Sequence, residues 1–242
     1  LRASKRMSEY IHFAIAEKND NVWIAQRQGR AKNSNDLTQP AILKMMAMGG
    51  EGTIIERLKQ LHIVPLAISY EYDPCDYLKA REYQLRRDLP YWKKTAEDDL
   101  ESMLVGIKGY KGHIFYKCAP CIDEWLDTVD EELPKNKLFD TIAAHIDHQI
   151  HSNYKLYPIN YVALDMIQDT RVYEEYYTVE DYQNFNSYLD GQIEKIDIEN
   201  RDDKFLRTCL LTQYAYPAKN YIAASSESGR FKSLLNRLTF KK

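Results

Sequence analysis

The chain has 242 residues, 44% of them hydrophobic, and its 33 basic and 36 acidic side chains leave a net charge of -3. That balance excludes a globally basic nucleic-acid binder, and four cysteines are too few for a disulfide framework in a chain this long, which implies a reducing compartment. No run of about 18 apolar residues could span a bilayer and no signal peptide is visible, so one large domain, or one domain with an appendage, is expected.

The chain opens on Leu1 rather than Met, and Met7, Ile11, Ala14 and Ile15 recur at helical spacing over residues 1–18. A start inside a helix is expected of a larger protein whose first part precedes Leu1. Asn19-Asp20-Asn21 turns the chain into Val22-Trp23-Ile24-Ala25-Gln26, which reads as a short buried strand. A glycine-containing basic turn follows, with Arg27, Gln28, Gly29, Arg30 and Lys32, then the polar run Asn33-Ser34-Asn35-Asp36. Pro40 suits the first turn of a helix that stops at Gly49-Gly50. Strand, basic turn and helix N-terminus are the parts with which α/β proteins hold an anion, so a phosphate site is expected here. Arg30 is its leading clamp, since guanidinium grips phosphate through two parallel hydrogen bonds; a solvated basic loop is the alternative.

Thr53 caps a helix carrying Ile54, Ile55, Leu58 and Leu61. Next, Ile63-Val64-Pro65-Leu66-Ala67-Ile68-Ser69-Tyr70 reads as a central parallel strand, with Pro65 near its start. Tyr70 and Glu71, at its end, are site candidates. Helices are expected over 76–87 and 95–106, the second opened by a Thr95-x-x-Asp98 capping box, and an alternating strand over 113–118. The expected fold class is α/β, a mostly parallel sheet flanked by helices, in residues 1–121. A helical C-terminal extension over 122–242 contains helices at 137–154, 158–167, 179–196 and 203–215 and a polar, weakly ordered tail from 225. Tyrosine, 19 residues in all, concentrates there, which fits an amphipathic interface.

Cys118-Ala119-Pro120-Cys121 is formally C-x-x-C, but no second such pair exists and a strand-ending turn is the default reading. His145, His148 and His151 follow at steps of three, so two of them could share a metal, but no carboxylate motif completes the set. No metal is assigned.

The segment 24–32 followed by 63–71 resembles the third and fourth sequence blocks of the glycerolipid acyltransferases, the glycerol-3-phosphate and 1-acylglycerol-3-phosphate acyltransferases among them. It is most similar to the divergent branch of Bacteroides-like bacteria. In that family the third block is a hydrophobic strand followed by Glu-Gly-(Thr or Gly)-Arg. The fourth is a strand with Val-Pro near its start and, in one branch, Tyr-Glu at its end. Segments 109–120 and 153–163 resemble later family stretches, so the likeness covers roughly residues 1–165.

The resemblance implies acyl transfer from acyl-CoA or acyl carrier protein, as co-substrate and with no other cofactor, onto a hydroxyl of glycerol 3-phosphate or lysophosphatidate in phospholipid synthesis. It assigns Arg30 to the acceptor phosphate, with Arg27 and Lys32 as auxiliaries and Gln28, Gly29, Pro65, Tyr70 and Glu71 lining the site. It also implies a cytoplasmic protein in peripheral contact with the inner face of the membrane. The family's base is the His of a His-x-x-x-x-Asp motif. None of the six histidines here is followed five positions on by Asp, so the catalytic residues are expected upstream of Leu1 and the chain itself is expected to be inactive. Gln28 stands where the family has Glu. A non-catalytic module binding a lipid phosphate or a protein is the alternative, and a metal hydrolase built on the His145 stripe is a third reading.

Overall fold

The elements run α1 (Arg2–Ala16), α2 (Pro40–Met46), α3 (Ile54–Lys59), β1 (Leu66–Tyr70), α4 (Asp76–Asp88), α5 (Ala96–Lys108), β2 (Ile114–Cys118), α6 (Asp123–Leu126), α7 (Lys135–Ser152), α8 (Pro158–Gln168), α9 (Val179–Glu194) and α10 (Asp203–Thr239), with a 3-10 turn at Glu174–Tyr176. The structure is a computed structural model that describes residues 2–27, 29 and 31–239, with side chains through Ser226.

Local chemistry explains five of the ten helix starts among the described residues. Thr53, Thr95 and Thr178 each accept a hydrogen bond from the backbone three residues on, while Glu56, Asp98 and Asp181 reach back to the cap. Proline occupies the first turn of α2 and of α8, where its missing N–H costs nothing.

The mostly parallel sheet is not there. Helix makes up 58% of the chain, and the only sheet among the described residues is the antiparallel pair β1–β2. Glu71 N donates to His113 O (2.9 Å) at one end of the pairing and Ala119 N to Pro65 O (2.8 Å) at the other. An apolar run reports the capacity to be buried on two faces without specifying which neighbours cover it. Here Val64 stays 47% exposed and β2 is exposed along its length. The expected strand at residues 22–26 is extended chain with no ladder partner among the described residues, and Trp23 is 74% exposed rather than buried. The expected loose tail from 225 is instead the continuation of α10, which accommodates Pro217 and runs to Thr239.

Two compact units divide the chain. The first comprises Leu1–Arg30, Asp36–Ala67 and Lys117–Asn153. Its core includes Leu43, Leu58, Ile122, Leu126, Leu138, Ile142 and Ile146. The buried side of α1 is Ser8, Ile11, His12 and Ala14, while Met7 faces outward. Ser8 Oγ donates to Met46 O (2.6 Å) and accepts from Gly49 N (2.8 Å), closing the end of α2 against α1.

The second unit comprises Ala31–Asn35, Ile68–Tyr116 and Tyr154–Lys242. Its core is helical. Val162 and Ala163 of α8, Phe185 and Leu189 of α9 and Leu206, Leu210 and Ala218 of α10 are all fully buried. Ala80 of α4 joins them.

Candidate functional site

The basic turn lies in a loop with its ends tied together. Gln39 N donates to Gln26 O (2.8 Å), and Thr38 donates through both its backbone N (2.8 Å) and Oγ1 (2.6 Å) to Asp147 Oδ1 of α7. Burial raises the Asp147 carboxyl above its usual range, while the two Thr38 bonds oppose that rise. Gly29 takes φ +71°, with no atom within 4 Å of where a Cβ would stand. Glycine is therefore needed there for the left-handed backbone rather than for room.

Arg27 approaches Asp36 Oδ1 at 3.7 Å, and its Nε–H is buried with no hydrogen-bond acceptor among the described residues. A buried charged donor without a partner is costly, and an anion would satisfy it. Arg30 and Gln28 lie outside the described residues. Lys32 belongs to the second unit, where it pairs with the buried carboxylate of Glu82, which Arg86 also meets at 2.7 Å. Burial first, and then Arg86, Lys94 and Lys79, push the Lys32 ammonium down to about 8.

The other site candidates fall at the strand. Pro65 is buried and accepts from Ala119 N (2.8 Å). Burial first, and then a hydrogen bond with Tyr116, raise the Tyr70 hydroxyl. Glu71 Oε2 takes the backbone N–H of His113 (2.9 Å) and lies 2.7 Å from its Nδ1, an arrangement in which a carboxylate fixes the imidazole.

A second basic feature, not singled out in the sequence, lies within the first unit. Arg2 and Lys5 of α1, Lys44 of α2, Arg57 of α3 and Lys135 of α7 line an open groove of about 690 Å³ together with Ala47, Met48, Ile54 and Phe139. Lys5 is 3.7 Å from Glu9, and Lys44 bonds Asn136 Oδ1 (2.9 Å). Arg57 donates to Gly52 O (2.9 Å) and Ala47 O (3.3 Å). Apart from Glu9, these cations meet only neutral acceptors in those bonds. Sequence periodicity hid the groove because its cations come from four separate helices.

The histidine stripe on α7 is put to other uses. His145 stacks on Trp125 with ring centroids 3.7 Å apart, and His151 Nε2 sits 3.4 Å from Asp36 O. In the second unit Asp76 is fully buried, its Oδ1 accepting from Tyr77 N and Gln192 Nε2 (both 2.6 Å) and its Oδ2 from Tyr188 (2.7 Å) and Tyr214 (2.6 Å). In the sequence this residue is only the start of a helix.

No family model, curated protein or solved structure matches the chain.

Proposed function

We propose that the chain serves in acyl transfer from an acyl-CoA or acyl carrier protein thioester to glycerol 3-phosphate or lysophosphatidate, its own part being to hold the acceptor's phosphate at the basic loop. The observation that carries this reading is Arg27. Its guanidinium lies beside Asp36, its buried Nε–H lacks an acceptor, and it sits in the tied loop of the segment that resembles the acyltransferase third block. A phosphate oxygen would supply the missing acceptor.

In the reaction the acceptor hydroxyl gives its proton to a base and attacks the thioester carbonyl. The C–S bond then breaks and the thiolate leaves, taking up a proton. No His-x-x-x-x-Asp occurs in this chain, so no base is assigned to its residues. The site of action is the inner face of the cytoplasmic membrane, reached peripherally; among the described residues no helix is long and apolar enough to cross a bilayer.

The test is binding of a short-chain lysophosphatidate to the 242-residue chain, together with an assay for acyl transfer. Arg27→Ala should weaken binding by about tenfold or more, as expected for loss of one charge-assisted bond to phosphate. Unchanged affinity would remove the assignment. Turnover by this chain alone would place a base among its own residues and overturn the division of labour.

The groove supports a second reading, a non-catalytic module for lipid phosphates. Cations and apolar side chains lining one groove match an amphiphile with an anionic head. Binding that ignores Arg27→Ala but falls on loss of the groove cations would select it.

A further inference from the structure

We propose that His62, Cys121 and Asp123 form a binding site for a divalent cation of the zinc class. One ligand atom from each lies within 4.8 Å of the other two, and His62 Nδ1 is 2.6 Å from Asp123 Oδ2. All three belong to the first unit.

The backbone builds this meeting. Ala119 N donates to Pro65 O (2.8 Å) and Ile122 N to Ile63 O (3.0 Å), extending the β pairing past the ends of the strands. Ile122 and Ala119 are buried and anchor one side, while Leu61 is buried on the other. His62 thus stands next to a pinned residue and Cys121 and Asp123 flank another. His62 itself takes φ +46°, a left-handed conformation that is uncommon for a residue with a Cβ but that histidine adopts more readily than most.

A second observation points to a ligand. Asp123 Oδ1 is buried and has no hydrogen-bond partner among the described residues, although Oδ2 meets His62. Buried carboxylate oxygens are normally satisfied, and a cation would satisfy this one. His62 and Cys121 are exposed, so an ion can enter from solvent.

The donor types select the ion. Magnesium and calcium take oxygen ligands, whereas nitrogen, thiolate and carboxylate together suit zinc and its Irving–Williams neighbours. Two anionic ligands, the Cys121 thiolate and the Asp123 carboxylate, balance the charge of a dication. Bonds of about 2.0–2.3 Å in a tetrahedron put ligand atoms about 3.5 Å apart, so side-chain shifts of about 1 Å close the site. Three protein ligands leave a fourth position for water. On binding, the Cys121 thiol proton passes to solvent and His62 ligates through a ring nitrogen that carries no proton. Cys118, the other half of the C-x-x-C, is not in the cluster.

The test uses the 242-residue chain, reduced and stripped with chelator, titrated with Zn²⁺ and, separately, with Co²⁺. One equivalent should bind, and Co²⁺ should show tetrahedral d–d bands with a thiolate charge-transfer band. Cys121→Ser should abolish that band, and His62→Ala should weaken affinity by about tenfold or more; Cys118→Ser should leave both unchanged. Absence of stoichiometric binding overturns the site, as does loss of the band in Cys118→Ser. A second measurement uses the unmutated chain. Zn²⁺ should slow alkylation of Cys121 while leaving Cys118, also exposed, at its metal-free rate. Equal alkylation of Cys121 with and without Zn²⁺ would show a His62–Asp123 ion pair with a bystander thiol.

Discussion

Tyr214 Oη donates to Asp76 Oδ2 across 2.6 Å, joining the first turn of α4 to α10 inside the second unit. Tyr188 donates to the same oxygen and lies 3.0 Å from Tyr214, so one carboxylate organises two tyrosines from two helices. The cost of burying that carboxylate sets the first prediction.

Burial pushes the Asp76 carboxyl up from 3.8 to about 6, although the Tyr214 and Tyr188 bonds pull it down. A folded value above the unfolded one means that this group stabilises the fold fully below pH 3.8, and the benefit is lost as pH rises through about 6. The amount is about 3 kcal/mol. Asp76→Asn, which cannot ionise and can place its amide toward the tyrosine oxygens, should melt with a flatter dependence on pH than the wild type between about pH 4 and 7.5. Parallel melting curves for the two proteins across that window would sink the idea. Asp76→Ala should lose about 2–4 kcal/mol, because it leaves buried hydroxyls without their acceptor.

His145 has the opposite sign. Burial first, and then His148, hold its imidazole down at about 4, against an ordinary 6.5. Its neutral form therefore favours folding above pH 6.5, and that contribution disappears as pH falls through about 4. Discounted for the partial exposure of the ring, the effect is about 1 kcal/mol. His145→Phe keeps an aromatic face for Trp125 and removes the titration. It should lose less stability than the wild type on acidification from about pH 7 to 4.5, as measured by denaturant midpoint. Equal losses would exclude His145 as the acid-sensitive group.

Gly50 takes φ +74°, and a Cβ added there would stand 2.6 Å from His12 Cε1 and would also strike the Gln60 side chain. Gly50→Ala must shift α1's His12 and strain the turn after α2, at a cost of about 1–3 kcal/mol. Gly29→Ala meets no atoms and should cost only the backbone term, about 1 kcal/mol. If thermal denaturation ranks the two substitutions the other way, the contact seen at His12 is not what limits position 50.

The groove cations make a separate electrostatic prediction. Lys44→Glu with Lys135→Glu should reduce binding to vesicles containing anionic phospholipid by about tenfold or more, since each surface cation contributes about 1 kcal/mol near an anionic bilayer. Wild-type binding should also weaken as salt is raised. Equal co-sedimentation of variant and wild type, at low salt, would take the groove out of membrane contact.

Helix boundaries were the part most open to reading from the chain, because their causes are local. Thr53 and Thr95 with acidic residues three positions on, and prolines at 40 and 158, place helix starts through hydrogen bonds and dihedral limits within one turn. The strand at 114–118 was legible as a strand from its alternation, though its antiparallel pairing with β1 was not. Residues 63–70 were misread at the next level: their apolarity was visible, but an antiparallel partner more than 40 residues away was not.

For the functional groups, too, sequence alone settled types and neighbours along the chain. It established a cluster of cations around Gly29, a C-x-x-C with no second pair, and six histidines without the His-x-x-x-x-Asp spacing. Tertiary structure decided which of these groups meet. It left Arg27 with a buried donor still to be satisfied, gave Lys32 to Glu82, and set His62 against Cys121 and Asp123. Capping and turn preferences act over a few residues, whereas the closeness of residues 62 and 121 depends on backbone pairing that closes a long intervening chain, and no local preference encodes that.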